Sequence, residues 1–176
     1  MSNNIILIGY MGCGKSSVGR KLALKNKMSY QDLDDYIEEK EGKTIKNIFE
    51  EKGEVYFRKI ENKYLKECLA QFSNTILSLG GGTPCFGNNM ELIVASANSK
   101  SIYLQTSIGE LSNRLFTERA KRPLIAHINT TDELSEFIAK HVFERLDFYS
   151  KAAYTIKTDQ KTLTDIVNEI EVLVQA

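Results

Sequence analysis

The chain is short of several things, and each shortage removes a class of protein. It has no excess of either charge: Lys plus Arg and Asp plus Glu both number 23 among 176 residues. A surface without a basic surplus has nothing to hold nucleic acid or an anionic membrane non-specifically, although a local basic pocket for a phosphorylated ligand stays possible. Cysteine is sparse and odd in number, with Cys13, Cys68 and Cys85 and no C-x-x-C pair. That set supplies neither a disulfide framework nor zinc spacing, so reduced thiols are expected. No apolar run approaches the length of a membrane span. Proline occurs only as Pro84 and Pro123, and no linker, repeat or low-complexity tract divides the chain. Met1-Ser2-Asn3-Asn4 passes straight into Ile5-Ile6-Leu7-Ile8 without the basic region or cleavage site of a secretory leader. A single cytosolic domain with a sizeable core is the expectation.

Short β-type runs do recur, at Ile5–Ile8, Met28–Gln31, Thr75–Leu79, Ser101–Gln105 and Tyr154–Lys157. The first and third are nearly continuous in apolar residues, as strands buried on both faces of a parallel sheet must be. Helical patterns separate them, which predicts βαβ units in a three-layer α/β domain. One apolar stripe follows Gly53 through Phe57, Ile60, Tyr64, Leu65, Cys68, Leu69 and Phe72. Ser107 and Glu110 make a capping-box pair after the fourth strand. Ile166, Val167, Ile170, Leu173 and Val174 describe a C-terminal amphipathic helix. These stripes are core. Thr117–Thr131 has the weakest periodicity, carries Arg119, Lys121 and Arg122, and is predicted to be a mobile lid.

Chemistry enters with Gly9-Tyr10-Met11-Gly12-Cys13-Gly14-Lys15-Ser16, a complete G-x-x-x-x-G-K-[ST] placed between a buried strand and a helical pattern beginning near Lys15. Its glycines let successive N–H groups turn toward phosphate oxygens, and the helix N-terminus adds partial positive charge. Lys15 can reach the outer phosphates, and Ser16 can take one position on Mg²⁺. ATP with Mg²⁺ is therefore expected. The chain has no D-x-x-G, and Asn62-Lys63-Tyr64-Leu65 lacks the closing Asp of a base reader, which disfavours a switch GTPase. A small P-loop kinase remains.

A second substrate needs further groups. Asp32 and Asp34 flank Leu33 at the end of the second strand, where ligands bind in open α/β sheets, although Asp34 or Asp35 could equally be an ordinary helix N-cap. Glu54 and Glu61 stand four before and three after Arg58, so on a helix both could hold its guanidinium; the alternative is a surface ion-pair cluster. Gly80-Gly81-Gly82 follows an apolar strand and offers close backbone approach. Arg122-Pro123-Leu124 lies in the lid segment, and Arg145 on the next helix.

Taken together, the P-loop, Asp32-Leu33-Asp34, Gly53-Glu54 with Phe57-Arg58 and Glu61, Leu77-Ser78-Leu79-Gly80-Gly81-Gly82, Arg122-Pro123-Leu124, and Arg145 with Tyr149 resemble the shikimate kinase family across nearly the whole chain. The resemblance implies a three-layer P-loop kinase fold with a five-stranded parallel sheet, helices on both faces and a lid at about 117–131. It implies one domain over 1–176, with the acceptor bound by the segment at about 32–61. The reaction implied is transfer of the ATP γ-phosphoryl group to the 3-hydroxyl of shikimate, on the route to the aromatic amino acids. By the same resemblance, Gly12, Cys13, Gly14, Lys15, Ser16, Ser17 and Arg122 would bind ATP. Asp34 would hold the reacting hydroxyl, Arg58 and Arg145 the carboxylate, Gly81 would add a backbone contact, and Phe49 and Phe57 an apolar wall. Lys15, Asp34 and Arg122 would be catalytic; Ser16 would bind Mg²⁺ directly, and Asp32 and Ser78 through water.

The chain departs from the family pattern at Ser17, where Thr is usual, and after Arg145, where Arg145-Leu146-Asp147-Phe148-Tyr149 has no proline. Thr158-Asp159-Gln160-Lys161 matches poorly, so no adenine contact is assigned. His127 and His141 carry no assigned role. Cys13 is read as a tolerated residue whose thiol a reagent could reach. A monomer is expected. Another small-metabolite kinase, such as a gluconate kinase, and a regulatory protein that binds nucleotide without turnover are the competing readings.

Overall fold

A computed structural model describes residues 4–175. Five strands form one sheet: β1 Asn4–Ile8, β2 Ser29–Asp32, β3 Thr75–Ser78, β4 Ser99–Gln105 and β5 Tyr154–Lys157, in the order β2-β3-β1-β4-β5. All neighbours pair parallel. The helices are α1 Lys15–Asn26, α2 Leu33–Glu41, α3 Ile45–Gln71, α4 Asn89–Ala95, α5 Ile108–Glu118, α6 Thr131–Tyr149 and α7 Leu163–Gln175.

The alternation of β1 explains the three layers. Ile5 and Leu7 point into one apolar cluster with Val18 and Leu22 of α1, Leu115 of α5 and Val167 of α7. Ile6 and Ile8 point into another with Leu33, Leu65, Ile93 and Tyr149. A strand with both faces covered has no polar side to show, hence the unbroken apolar run. Each fully buried Ile or Leu contributes about 1.5–3 kcal/mol by leaving water.

Register places the site. Asp32 is opposite Ser78, and Ser78 is opposite Leu7, so the C-terminal ends of β2, β3 and β1 lie side by side. The chain passes from β1 to α1 there, and β3 and β4 flank β1 on opposite sides. That is the crevice where open α/β sheets bind ligands.

Several boundaries differ from the sequence reading. The N-cap of α2 is Asp32, whose side chain accepts from the Asp34 amide, so neither Asp34 nor Asp35 is spent on capping. Gly53 lies within α3 as a break, with φ 76° and ψ 175°, because α3 begins upstream at the Thr44 cap. Ser107 caps α5 by accepting from the Glu110 amide; reciprocal pairs with both bonds stand instead at Thr130–Glu133, at the start of α6, and at Thr162–Asp165, at the start of α7. The expected lid is part ordered structure. Thr117 and Glu118 close α5, Arg119–Lys121 form a 3-10 turn, and Ile125 and Ile128 are buried in the core. No helix among the described residues is long and apolar enough to cross a membrane.

Candidate active site

The phosphate-binding loop leaves β1 at Gly9 and ends at Gly14, the N-cap of α1. Gly12 (φ 80°) and Gly14 (φ 97°) occupy the left-handed region, and a Cβ on Gly12 would also stand 2.9 Å from Leu115. Gly14 offers no side-chain cap, and the first turn of α1 holds no acid, so its amides are left for an anion. Lys15 folds back over the loop, its Nζ donating to the Gly9 carbonyl at 2.7 Å and the Tyr10 carbonyl at 3.0 Å.

This loop forms one side of a cleft of about 560 Å³, with Asp32, Asp34, Gly80, Gly81, Arg114 and Arg122 around the rest. Asp34 is half-buried, and its pKa is raised to about 7. Withdrawal from solvent is the main cause; the carboxylates of Asp32 and Glu61 add to it, and Lys15 opposes them. Burial also raises Asp32, against the bond it accepts from the Asp34 amide. Gly80 passes so close to Asp34 that a Cβ there would meet Oδ1 at 3.3 Å. The Ser78 Oγ is buried beside Asp32 in register and has no hydrogen-bond partner among the described residues.

Beyond the glycine turn stand two arginines. A Cβ on Gly82 would lie 3.3 Å from Arg58, and one on Gly81 3.5 Å from Arg145. Arg58 donates to Glu61 at 2.9 Å and to Glu54 at 3.3 Å, and its guanidinium lies 3.6 Å from the centroid of Phe86. Phe49 and Phe57 pack ring to ring nearby, with 4.6 Å between centroids. Tyr149 donates to the Gly81 carbonyl at 2.6 Å, which fixes the turn against α6. On the opposite rim, Arg122 donates to Glu118 at 2.9 Å, and its Nε is buried without a partner.

The fold therefore brings the P-loop, Asp32, Asp34, Gly81 and Arg122 to one cleft, with Ser78 buried beneath it next to Asp32 and Arg58, Arg145, Phe49 and Phe57 on the far side of the glycine turn. Cys13 is more shielded than the sequence suggests, at 2% exposure against Gly9. Asp159 accepts from the Ser107 amide and hydroxyl, tying the loop after β5 to the start of α5. Arg114 escaped the sequence reading, although it donates to the Gly12 carbonyl at 3.2 Å and pairs with Glu110. Its spacing of four from Glu110 was visible; that α5 turns this pair toward the phosphate loop depends on packing. His141 was also passed over, and it lies 3.2 Å from the Tyr10 hydroxyl.

A strand-linked phosphate loop facing a carboxylate and flanked by cationic groups defines a small P-loop kinase. Comparison with known proteins narrows this. The family model for shikimate kinase matches residues 11–174. The chain is 43% identical over 166 residues to a shikimate kinase of Flavobacterium johnsoniae, covering 94% of this chain and 95% of that one. It is 46% identical to the shikimate kinase of Flavobacterium psychrophilum over the same shares. Its fold superposes on the crystal structure of shikimate kinase from Bacteroides thetaiotaomicron with a TM-score of 0.89, at 34% identity and full coverage of both chains. On shikimate kinase from Acinetobacter baumannii in complex with shikimate the TM-score is 0.85, at 33% identity, covering 98% and 92%. The chain belongs to the shikimate kinase family.

Proposed function

We infer that the cleft between the phosphate loop and the glycine turn carries out the reaction of the family, ATP-dependent phosphorylation of shikimate on its 3-hydroxyl. The observation that carries the residue assignment is the placement of Asp34. Its carboxylate, with a pKa near 7, shares one cleft with Lys15 and stands against Gly80, at the start of the turn that leads to Arg58 and Arg145.

The roles follow from charge and reach. The loop amides from Gly12 to Ser17, Cys13 included, bind the ATP phosphates. Lys15 leaves its two carbonyl partners for them, an exchange that removes no hydrogen bond without supplying a charged one. Asp34 orients the acceptor hydroxyl and takes its proton late, as suits a loose transition state whose demands are position and cationic stabilisation. Arg58 and Arg145 bind the acceptor carboxylate; Arg58 is already oriented by Glu54 and Glu61, so little side-chain entropy is lost on binding. Gly81 adds a backbone contact, and the Phe49–Phe57 pair shields the apolar side of the ring. Arg122 meets the transferring group from the lid.

Mg²⁺ fits the donors present. Among the described residues there is no cluster of three or more His, Cys, Asp or Glu to cage a metal, which suits an ion held largely by phosphates and water. Ser16 would supply a direct oxygen, while Asp32 and the unpartnered Ser78 Oγ would hold its water. Bound there, the ion would neutralise charge on the β- and γ-phosphates.

The test is an ADP-release assay with ATP and Mg²⁺ against shikimate, quinate, gluconate and nucleoside monophosphates. Turnover confined to shikimate is expected. Faster turnover of gluconate or a nucleotide would reassign the acceptor, and ATP binding without turnover on any acceptor would favour a regulatory nucleotide-binding protein.

A further inference from the structure

The two arginines beyond the glycine turn are held by different means. Arg58 has two acids, whereas no ion pair among the described residues holds Arg145. Arg145 stands instead against two tyrosines: Tyr149 of its own helix, whose hydroxyl its guanidinium approaches, and Tyr10, the second residue of the phosphate loop, over whose ring the guanidinium lies 5.4 Å from the centroid. Tyr10 is 2% exposed. Its hydroxyl and His141 Nδ1 are 3.2 Å apart, and His141 in turn rests on Phe137 with 4.3 Å between ring centroids. His141 and Arg145 are one helical turn apart, so the Tyr10 side chain engages successive turns on one face of α6. The backbone of the same residue accepts from Lys15 at 3.0 Å.

Tyr10 thus touches a phosphate-side cation with its carbonyl and an acceptor-side cation with its ring. A ring face attracts a guanidinium within about 6 Å of its centroid, and the attraction strengthens when both are withdrawn from water. The hydroxyl on His141 fixes the ring's position along α6. We propose that Tyr10 is a positioning residue for the acceptor, holding Arg145 on α6 in register with the phosphate loop, with His141 as its anchor. This rests on the reading of Arg145 as a carboxylate ligand.

The experiment is steady-state kinetics with ATP, Mg²⁺ and shikimate on Tyr10→Leu, Tyr10→Phe and His141→Ala, each also combined with Arg145→Ala. Tyr10→Leu removes ring and hydroxyl and should raise the shikimate KM about tenfold, with the ATP KM moving by less than about twofold. Tyr10→Phe, which removes only the anchoring bond, and His141→Ala, which removes it together with the imidazole's packing on Phe137, should each raise it about two- to threefold. In the Arg145→Ala background none of the three should add to the shikimate KM. An equal rise in that background, or an ATP KM that rises as much as the shikimate KM, overturns the proposal while leaving Arg145 a ligand. A shikimate KM unchanged by Arg145→Ala alone instead removes the reading of Arg145, and the proposal with it. Should Tyr10→Leu fail to fold, an unchanged shikimate KM in both milder variants overturns the proposal.

Discussion

Thr83 donates its hydroxyl to Glu61 at 2.6 Å, and through that one bond the glycine turn and α3 share a buried carboxylate. Glu61 is 1% exposed and uses its other oxygen to accept from Arg58 at 2.9 Å. A buried charge satisfied on both oxygens is costly to disturb from one side, because removing it leaves Thr83 unpaired and Arg58 with only the exposed Glu54. Glu61→Ala should therefore destabilise the fold by about 3 kcal/mol, within the range for breaking a buried pair. Denaturant unfolding of the two proteins measures this. A loss under about 1 kcal/mol would mean that the pair behaves like an exposed one.

Arg58 itself should matter to the acceptor and not to the nucleotide. Losing a charge-assisted carboxylate contact costs about 2–3 kcal/mol, so Arg58→Ala should weaken shikimate binding roughly 30- to 150-fold. Direct titration of each ligand decides the matter: if ATP weakens as much as shikimate, Arg58 serves the fold and not the pocket.

How far this site can be read without coordinates depends on whether its logic is local. The phosphate loop is a contiguous motif, and the Arg58 brace is a matter of helical spacing, so Glu54 and Glu61 could be named from the chain. Strand positions followed because β1 and β3 are buried on both faces and therefore unbroken in apolar residues. The N-cap of α2 went to Asp32 instead of Asp34 or Asp35, since three acids within four residues leave the choice to a register set by β3. The break at Gly53 lies inside α3 because the Thr44 cap starts the helix upstream. Arg114, Tyr10 and His141 gain their meaning only through contacts between α5, α6 and the loop, which are separated by long stretches of chain. No local pattern encodes those.

Lys15 donates only to main-chain oxygens of its own loop, Gly9 and Tyr10, and to the Cys13 sulfur at 3.8 Å. Nothing in the core depends on it. Lys15→Met should abolish most turnover, by about 100-fold or more, while the melting temperature stays within a few degrees. Near-wild-type turnover would remove Lys15 from the mechanism.

Asp34 ties activity and stability to pH in opposite senses. With a pKa near 7 in the free enzyme, it is protonated in mild acid, where it cannot accept a proton from the acceptor. The kcat/KM for shikimate should fall tenfold per unit below about pH 7. For stability, the folded pKa lies above the unfolded value, so the folded state binds the proton more tightly. The associated stability is fully present below about pH 4 and is lost as pH rises through 7. Asp34→Asn should therefore melt higher than the wild type at pH 8, by a margin that shrinks toward pH 4, and should be nearly inactive throughout. A melting difference that does not change with pH would show that Asp34 titrates normally.

Arg122 stands at the rim of the cleft, paired with a carboxylate of its own segment. It donates to Glu118 one turn back, on the rim of the cleft, while Ile125 and Ile128 seat the far end of the segment in the core. A closing segment here would thus be narrower than the whole stretch from 117 to 131, and would lie between the end of α5 and Ile125. Some closure is needed on physical grounds, because water competes with the acceptor for the γ-phosphate and must be kept out. A guanidinium that exchanges Glu118 for the transferring group meets its charge late, so it stabilises the transition state more than bound ATP. Arg122→Ala should lower kcat by about 100-fold and weaken ATP binding only a few-fold. Glu118→Gln, which releases the guanidinium without removing it, should leave kcat within about threefold, as expected for an exposed pair. Amide hydrogen exchange should be fast between residues 119 and 124 in the free protein and slowed when ATP and shikimate analogues are both bound. Protection already present without ligands would show a segment that does not move, and Arg122 would then have to act from where it stands.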